Sequence, residues 1–159
     1  MNIIREFELY CKNSHLAAYA GTIYFIAMLF GTIAFPFLTD SKGRKPSLLI
    51  CTFLSGIAFI GCAFSPNVWC WIACVCVAGF GLGGMETISM VYVSEISATN
   101  FRNNAGTALL TTWSLSQIIM GVIYNFVGYW RYMFLFVMGI PYLLGWLAVL
   151  IFMDETPRY

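Results

Sequence analysis

Charge is scarce in this sequence. Only 9% of its 159 residues are Asp, Glu, Lys or Arg, where a soluble domain carries roughly 25% to keep its surface solvated. The formal net charge is +1, and no run of basic residues interleaved with aromatics is present, so nucleic acid is not an expected partner. The single histidine, His15, stands far from Cys70, Cys74 and Cys76, and Cys74 and Cys76 fall on different faces of a helix. Structural zinc needs four convergent ligands, so no metal site is expected. No nucleophile–base pair, phosphate-cradling loop or pair of catalytic carboxylates appears, so neither an enzyme nor a cofactor is expected. Nor is a cleavable signal expected in the opening residues. The opening MNIIREFELYCKNSH is polar and mixed in charge, and it reads as the end of an exposed loop rather than as a free N-terminus.

What the sequence has instead is apolar bulk: 60% hydrophobic and 18% aromatic residues, with a mean hydropathy of +0.81. Five runs are long enough to cross a bilayer: about 17–38, 47–64, 68–93, 105–127 and 132–153. Of the fifteen charged residues, fourteen lie at the termini or in the short segments between these runs, and Glu86 alone falls inside one. A hydrocarbon core enforces that segregation, because a charge at its centre costs at least about 2.5–3.5 kcal/mol. The bilayer is therefore the first partner. Five of the six cysteines lie within the apolar runs and are read as small packing residues; Cys11 is outside, with no evident disulfide partner.

Gly31 to Lys45, GTIAFPFLTDSKGRK, orders the rest. An apolar run ends in Asp40-Ser41-Lys42-Gly43-Arg44-Lys45, and a second begins after Pro46. Two spans joined by a short basic turn form a hairpin with the turn in the cytoplasm. Five Lys and Arg (Lys42, Arg44, Lys45, Arg102, Arg158) fall on that side, against three (Arg5, Lys12, Arg131) on the other. Ser65-Pro66-Asn67 is a tight turn, Ser94–Asn104 a second polar turn and Gly128–Arg131 an aromatic one. Gly139, Pro141 and Gly145 predict a bent fifth span.

The pattern Gly31-x4-Pro36-x3-Asp40-x2-Gly43-Arg44-Lys45 resembles the major facilitator superfamily motif between its second and third helices. Pro36 stands where a second Gly is usual, and Ser41 where an Arg is usual. Glu95-x6-Arg102 matches the family's Glu-x6-Arg loop, and Gly79-Phe80-Gly81-Leu82-Gly83-Gly84 its fourth-helix glycines. Trp130-Arg131-x-Met133-Phe134 resembles the start of its sixth helix. Glu155-Thr156-Pro157-Arg158-Tyr159 resembles the Glu-Ser-Pro-Arg element that follows. Glu6-Phe7-Glu8-Leu9-Tyr10-Cys11 resembles the end of the large extracellular loop of the organic cation, anion and carnitine transporters.

The resemblance implies an all-α integral membrane fold, five transmembrane helices of a major-facilitator N-terminal half. Residues 1–16 would be the end of an extracellular loop, 17–153 the bundle, and 154–159 the start of a cytoplasmic loop. It implies movement of a small organic ion by alternating access, in a plasma membrane or else an organelle membrane. The chain would be incomplete as given, completed by the remaining transporter half or by a larger membrane complex. A sugar-porter-like transporter and a structural membrane subunit derived from a transporter half are the competing readings.

Candidate site residues follow. Asp40, at a helix C-terminus where the macrodipole disfavours an anion, needs a cation, and Arg44, Lys45 and Arg102 are the candidates. With Gly43, Glu95, Glu155 and Arg158 they form the gating and loop set, or else they only anchor helix ends. Gly79 and Gly83 are read as a packing seam. Glu86 shares their face. It is either a cation counter-charge or proton carrier, or a carboxylate reaching for the interface or a basic partner. Gln117, Trp113 and Tyr124 either face a cavity or pack. Val75 stands where many family members carry an Arg, which argues against a proton-linked mechanism.

Overall fold

The computed structural model describes residues 3–6, 14–98 and 101–153. The helices are α1 (Ile3–Glu6), α2 (Ser14–Lys42), α3 (Arg44–Phe64), α4 (Val68–Ile96), α5 (Arg102–Val127) and α6 (Trp130–Tyr132); a π-helical segment (Met133–Gly139) then leads into α7 (Ile140–Phe152). Among the described residues, five rods are long and apolar enough to cross a membrane, the last being the continuous stretch Trp130–Phe152.

The helices outrun the apolar segments read from sequence. The basic stretch Asp40–Lys45 is not an open turn: α2 continues to Lys42, α3 begins at Arg44, and Gly43 alone breaks the helix. Gly43 has φ 104°, a conformation that costs a residue without Cβ little, and its N–H still bonds to the Thr39 carbonyl at 2.9 Å. Likewise Glu95 lies within α4, not in a loop. At 1.5 Å per residue, the 29 residues of α2 or α4 span about 43 Å, more than the roughly 30 Å hydrocarbon core. The charged ends therefore stand in the headgroup region. At the far end of α5, Gly128 (φ 62°) gives the left-handed cap, its N–H bonded to the Tyr124 carbonyl.

Where the sequence predicts a bend in the last span, the structure has the π segment. Pro141 has no N–H to donate and its ring would crowd the carbonyl four residues back. The turn before it is widened, with the Ile140 N–H bonded to Leu135, five residues back.

Helix α4 is the centre of the bundle, with α2 on one side and α3 on the other; α3 in turn carries the π segment and α7. Glycines on α4 make this possible. A Cβ on Gly79 would stand 2.6 Å from the Tyr24 carbonyl oxygen, and one on Gly83 would collide with the Met28 carbonyl. Gly31 on α2 meets the Phe80 carbonyl in the same way, while Gly81 faces Ser55 and the Cys51 carbonyl on α3. Phe35, Leu48, Cys51 and Ile88 fill one part of the core, and Ala58, Phe59 and Ala78 another.

Buried hydroxyls between α3 and its neighbours return to their own helix: Ser47 to the Gly43 carbonyl (2.9 Å), Thr52 to Leu48 (2.8 Å) and Ser55 to Cys51 (2.9 Å). Those three hydroxyls need no partner from another helix in hydrocarbon. Neither α5 nor α7 buries a residue, but α7 lies along α3 whereas α5 touches its neighbours only lightly.

The α2–α4 seam should tolerate no side chain. Gly83→Val is expected to cost at least about 1–3 kcal/mol by overpacking and to lower the melting temperature of the detergent-purified full-length protein. Gly21→Ala, where a Cβ meets nothing within 4 Å, should leave it unchanged or slightly raised. Equal effects from the two substitutions would show that the seam does not limit stability.

Candidate functional site

One end of the bundle is organised by Arg44. Its position just after Gly43 puts it where the α2–α3 hairpin meets the C-terminal end of α4. Its Nη2 donates to Glu95 Oε1 at 2.6 Å and its Nε to Oε2 at 3.3 Å, a two-point contact. Nη1 lies 3.5 Å from Asp40 Oδ1, one helical turn back across the break. The Arg44 side chain keeps 24% of its exposure, Glu95 37% and Asp40 74%. The Arg44–Glu95 contact is thus the sheltered one, and the Asp40 contact is close to solvent.

Of the three cations considered for Asp40, Arg44 is the one that reaches it. Lys45 is half-buried and Arg102 exposed at the start of α5. Among the described residues, no ion pair joins either of them to Asp40. Glu155 and Arg158 lie outside the described residues.

Glu86 sits half-buried on α4, one turn beyond Gly83 on the side of the α2 seam. Tyr24 of α2 sets its carbonyl against Gly79 on that seam, and Tyr142 of α7 packs its ring on Phe59 of α3. Those two tyrosines were not singled out from sequence; a tyrosine in an apolar run looks like any other large packing residue until a neighbouring helix is placed. Tyr142 also lines a cavity of about 300 Å³ with Met85, Ser89, Thr52 and Leu48. Glu86 is not part of that lining, although Met85 precedes it in sequence.

Trp113, Gln117 and Tyr124 share one face of α5 by spacing. All three are exposed, Trp113 at 42% and Tyr124 at 43%. The structure does not gather them with Glu86 around that cavity; they lie on α5, none of whose residues is buried. The α5 surface is rich in hydroxyls, with Thr107, Thr111, Thr112, Ser114 and Ser116 each bonded to a carbonyl of its own helix. Among the described residues, no group of three His, Cys, Asp or Glu is placed to hold a metal ion.

The α2–α3 hairpin is thus joined through Arg44 to the end of the third span, α4, over a glycine-lined seam. The model of the Major Facilitator Superfamily matches residues 10–159, and the chain belongs to that family. Within it, the chain is similar to organic cation/carnitine transporter 4 of Arabidopsis thaliana, 31% identical over 98% of this chain and 30% of the relative. It is similar to organic anion transporter 3 of Oryctolagus cuniculus, 28% identical over 91% of this chain and 27% of the relative. Synaptic vesicle glycoprotein 2C of Mus musculus is 29% identical over 97% of this chain and 23% of the relative. The chain spans less than a third of the length of these relatives.

The Arg44–Glu95 contact should behave as a coupled pair. In a double-mutant cycle with Arg44→Gln and Glu95→Gln, a coupling of about 0.5–1 kcal/mol is expected for a half-exposed two-point pair. It should shrink as ionic strength rises toward 1 M, where the screening length falls to about 3 Å. Additive single effects would mean the pair carries no energy of its own.

Proposed function

We propose that this chain supplies the second to sixth helices in the first half of a transporter that moves small organic ions by alternating access. The observation that carries the reading is Arg44 bridging Asp40 and Glu95, acidic residues from two loop motifs brought together at one bundle end. A transporter of this kind rocks two halves around a central site. Ionic contacts at helix ends are suited to that motion because they can be made in one state and parted in the other. On this reading the Arg44 end is cytoplasmic, following the bias of Lys and Arg, and the membrane is the plasma membrane.

Glu86 is proposed as the ionisable group of the transport path, serving as counter-charge to a cation or as proton carrier. It is the one acidic residue inside an apolar run, and no basic side chain is paired with it among the described residues. Trp113, Gln117 and Tyr124 are proposed to face the same path from α5. The names of the relatives include both organic cation and organic anion transporters, which supports an organic ion as cargo without choosing its sign.

A second reading, that of an accessory membrane subunit, is favoured by α5. A helix with none of its residues buried and a hydroxyl-rich surface calls for cover by other protein. The remaining transporter half and a larger complex would both supply it.

Uptake by the full-length protein in cells tests both readings, with labelled tetraethylammonium and labelled p-aminohippurate as cation and anion probes. Uptake of one of them above mock-transfected cells is expected. Glu86→Gln should reduce it at least about fivefold at equal surface abundance, the scale of removing one charged contact. Unchanged uptake in the variant removes Glu86 from the mechanism. No uptake of either probe, together with stable copurification in a larger assembly, favours the subunit reading.

A further inference from the structure

At the opposite end of α3 from Arg44 stands a second arginine, and it makes more contacts. Arg131, in α6, donates from Nη1 to the Ala63 carbonyl and from Nη2 to the Ser65 carbonyl, each at 3.0 Å. These are carbonyls at the C-terminal end of α3 and in the α3–α4 turn, groups the helix cannot satisfy itself. The same guanidinium donates from Nε to Glu6 Oε1 at 2.9 Å and brings Nη2 to 2.7 Å from that oxygen. The other oxygen of Glu6 accepts from the Trp130 indole at 2.6 Å. Arg131 also lies over the Trp130 ring, 5.0 Å from its centre. Trp130 is buried at 3% exposure, so the indole donor has a fixed position.

The geometry has a direction. Two main-chain carbonyls and an aromatic face hold the guanidinium whether or not Glu6 is present. Glu6, in contrast, reaches the bundle through a helix of only four residues, too short to be stable by itself. We propose that Arg131 holds a strap: through Glu6 it ties the segment preceding α2 to the α3–α4 turn and the start of α6, so that these parts move as one unit. The strap is independent of transport and distinct from the Arg44 cluster. Glu6 and Trp130, which the sequence places 124 residues apart, are on this reading the two halves of one fastening. A lysine at 131 could not replace it, since one ammonium cannot serve two carbonyls and a carboxylate in a planar fork.

The tie holds at neutral pH. Burial pushes the Glu6 carboxyl up, but the hydrogen bonds from Arg131 and Trp130, together with the Arg131 charge, outweigh it and hold the group below its ordinary value. A depressed carboxylate contributes above its unfolded value and is lost as pH falls through the native one. Arg131 and Trp130 are the groups from α6 that face Glu6, while the α3 end offers only the Ala63 and Ser65 carbonyls, to Arg131.

Hydrogen exchange on the full-length protein in nanodiscs tests this, comparing wild type with Glu6→Gln and Arg131→Lys. In both variants the amides of residues 3–6 are expected to exchange roughly tenfold faster, the scale of losing a charge-assisted hydrogen bond. Residues 63–67 should also speed up, even in Glu6→Gln, which does not touch them directly, while residues 40–45 at the other end stay unchanged. In wild type, protection of residues 3–6, corrected for intrinsic rate, should be flat from about pH 5 to 8. Unaltered exchange at 3–6 in Glu6→Gln overturns the strap. A change confined to 3–6, with the α3–α4 turn unaffected, overturns the claim that the parts move together. Should Arg131→Lys fail to fold, Glu6→Gln alone decides between these results.

Discussion

Backbone touching backbone between α2 and α4 is the constraint on which the rest depends. Within hydrocarbon, apolar burial does little to hold two apolar helices together, so contact has to come from close packing. Gly79 and Gly83 let the carbonyls of Tyr24 and Met28 approach the α4 backbone, and Gly31 returns the contact from the α2 side. Once those two rods are fixed, α4 offers its other face, with Gly81, to α3. The core residues Phe35, Cys51 and Ile88 then fill space whose width the glycines have already set.

The glycine contacts themselves include no ion pair to set their position along the helix axis, and the two ends supply it. Arg44 engages side chains, Asp40 and Glu95, which can let go and re-form at modest cost because they are partly solvated. Arg131 engages main-chain carbonyls as well as Glu6, and carbonyls at a helix end have nowhere else to turn. The two ends of the same bundle are therefore held by contacts of different permanence. The alternating access proposed above would have use for one firm end and one that yields.

Much of the fold was legible because lipid imposes a simple rule on sequence: long apolar runs with charges between them. The glycine run and the acidic and basic loop residues indicated the family before any helix was placed. What sequence periodicity could not show was where helices end relative to where hydrophobicity ends. Asp40, Arg44 and Glu95 look like loop residues by composition, yet all three are helical, because nothing except Gly43 interrupts the backbone there. The site was less legible than the fold. Glu86 stood out as a charge in an apolar run, whereas Tyr24 and Tyr142 were hidden among similar side chains. The partnership of Glu6 with Arg131 spans most of the chain, and no local pattern encodes it.

The widened turn from Met133 to Gly139 has a consequence for how the last span can evolve. It holds an extra residue compared with an α-helical path of the same length. Beyond it, Tyr142 packs its ring 5.2 Å from that of Phe59, and Trp146 lies 5.3 Å from Phe53. Removing a single residue from the turn would restore ordinary α pitch and rotate everything after it by about 100°. Both rings would then leave α3, and a different stripe of α7 would take their place. The turn is thus a phase setting: its length, rather than the identity of any residue beyond it, selects which side of the last helix this bundle sees.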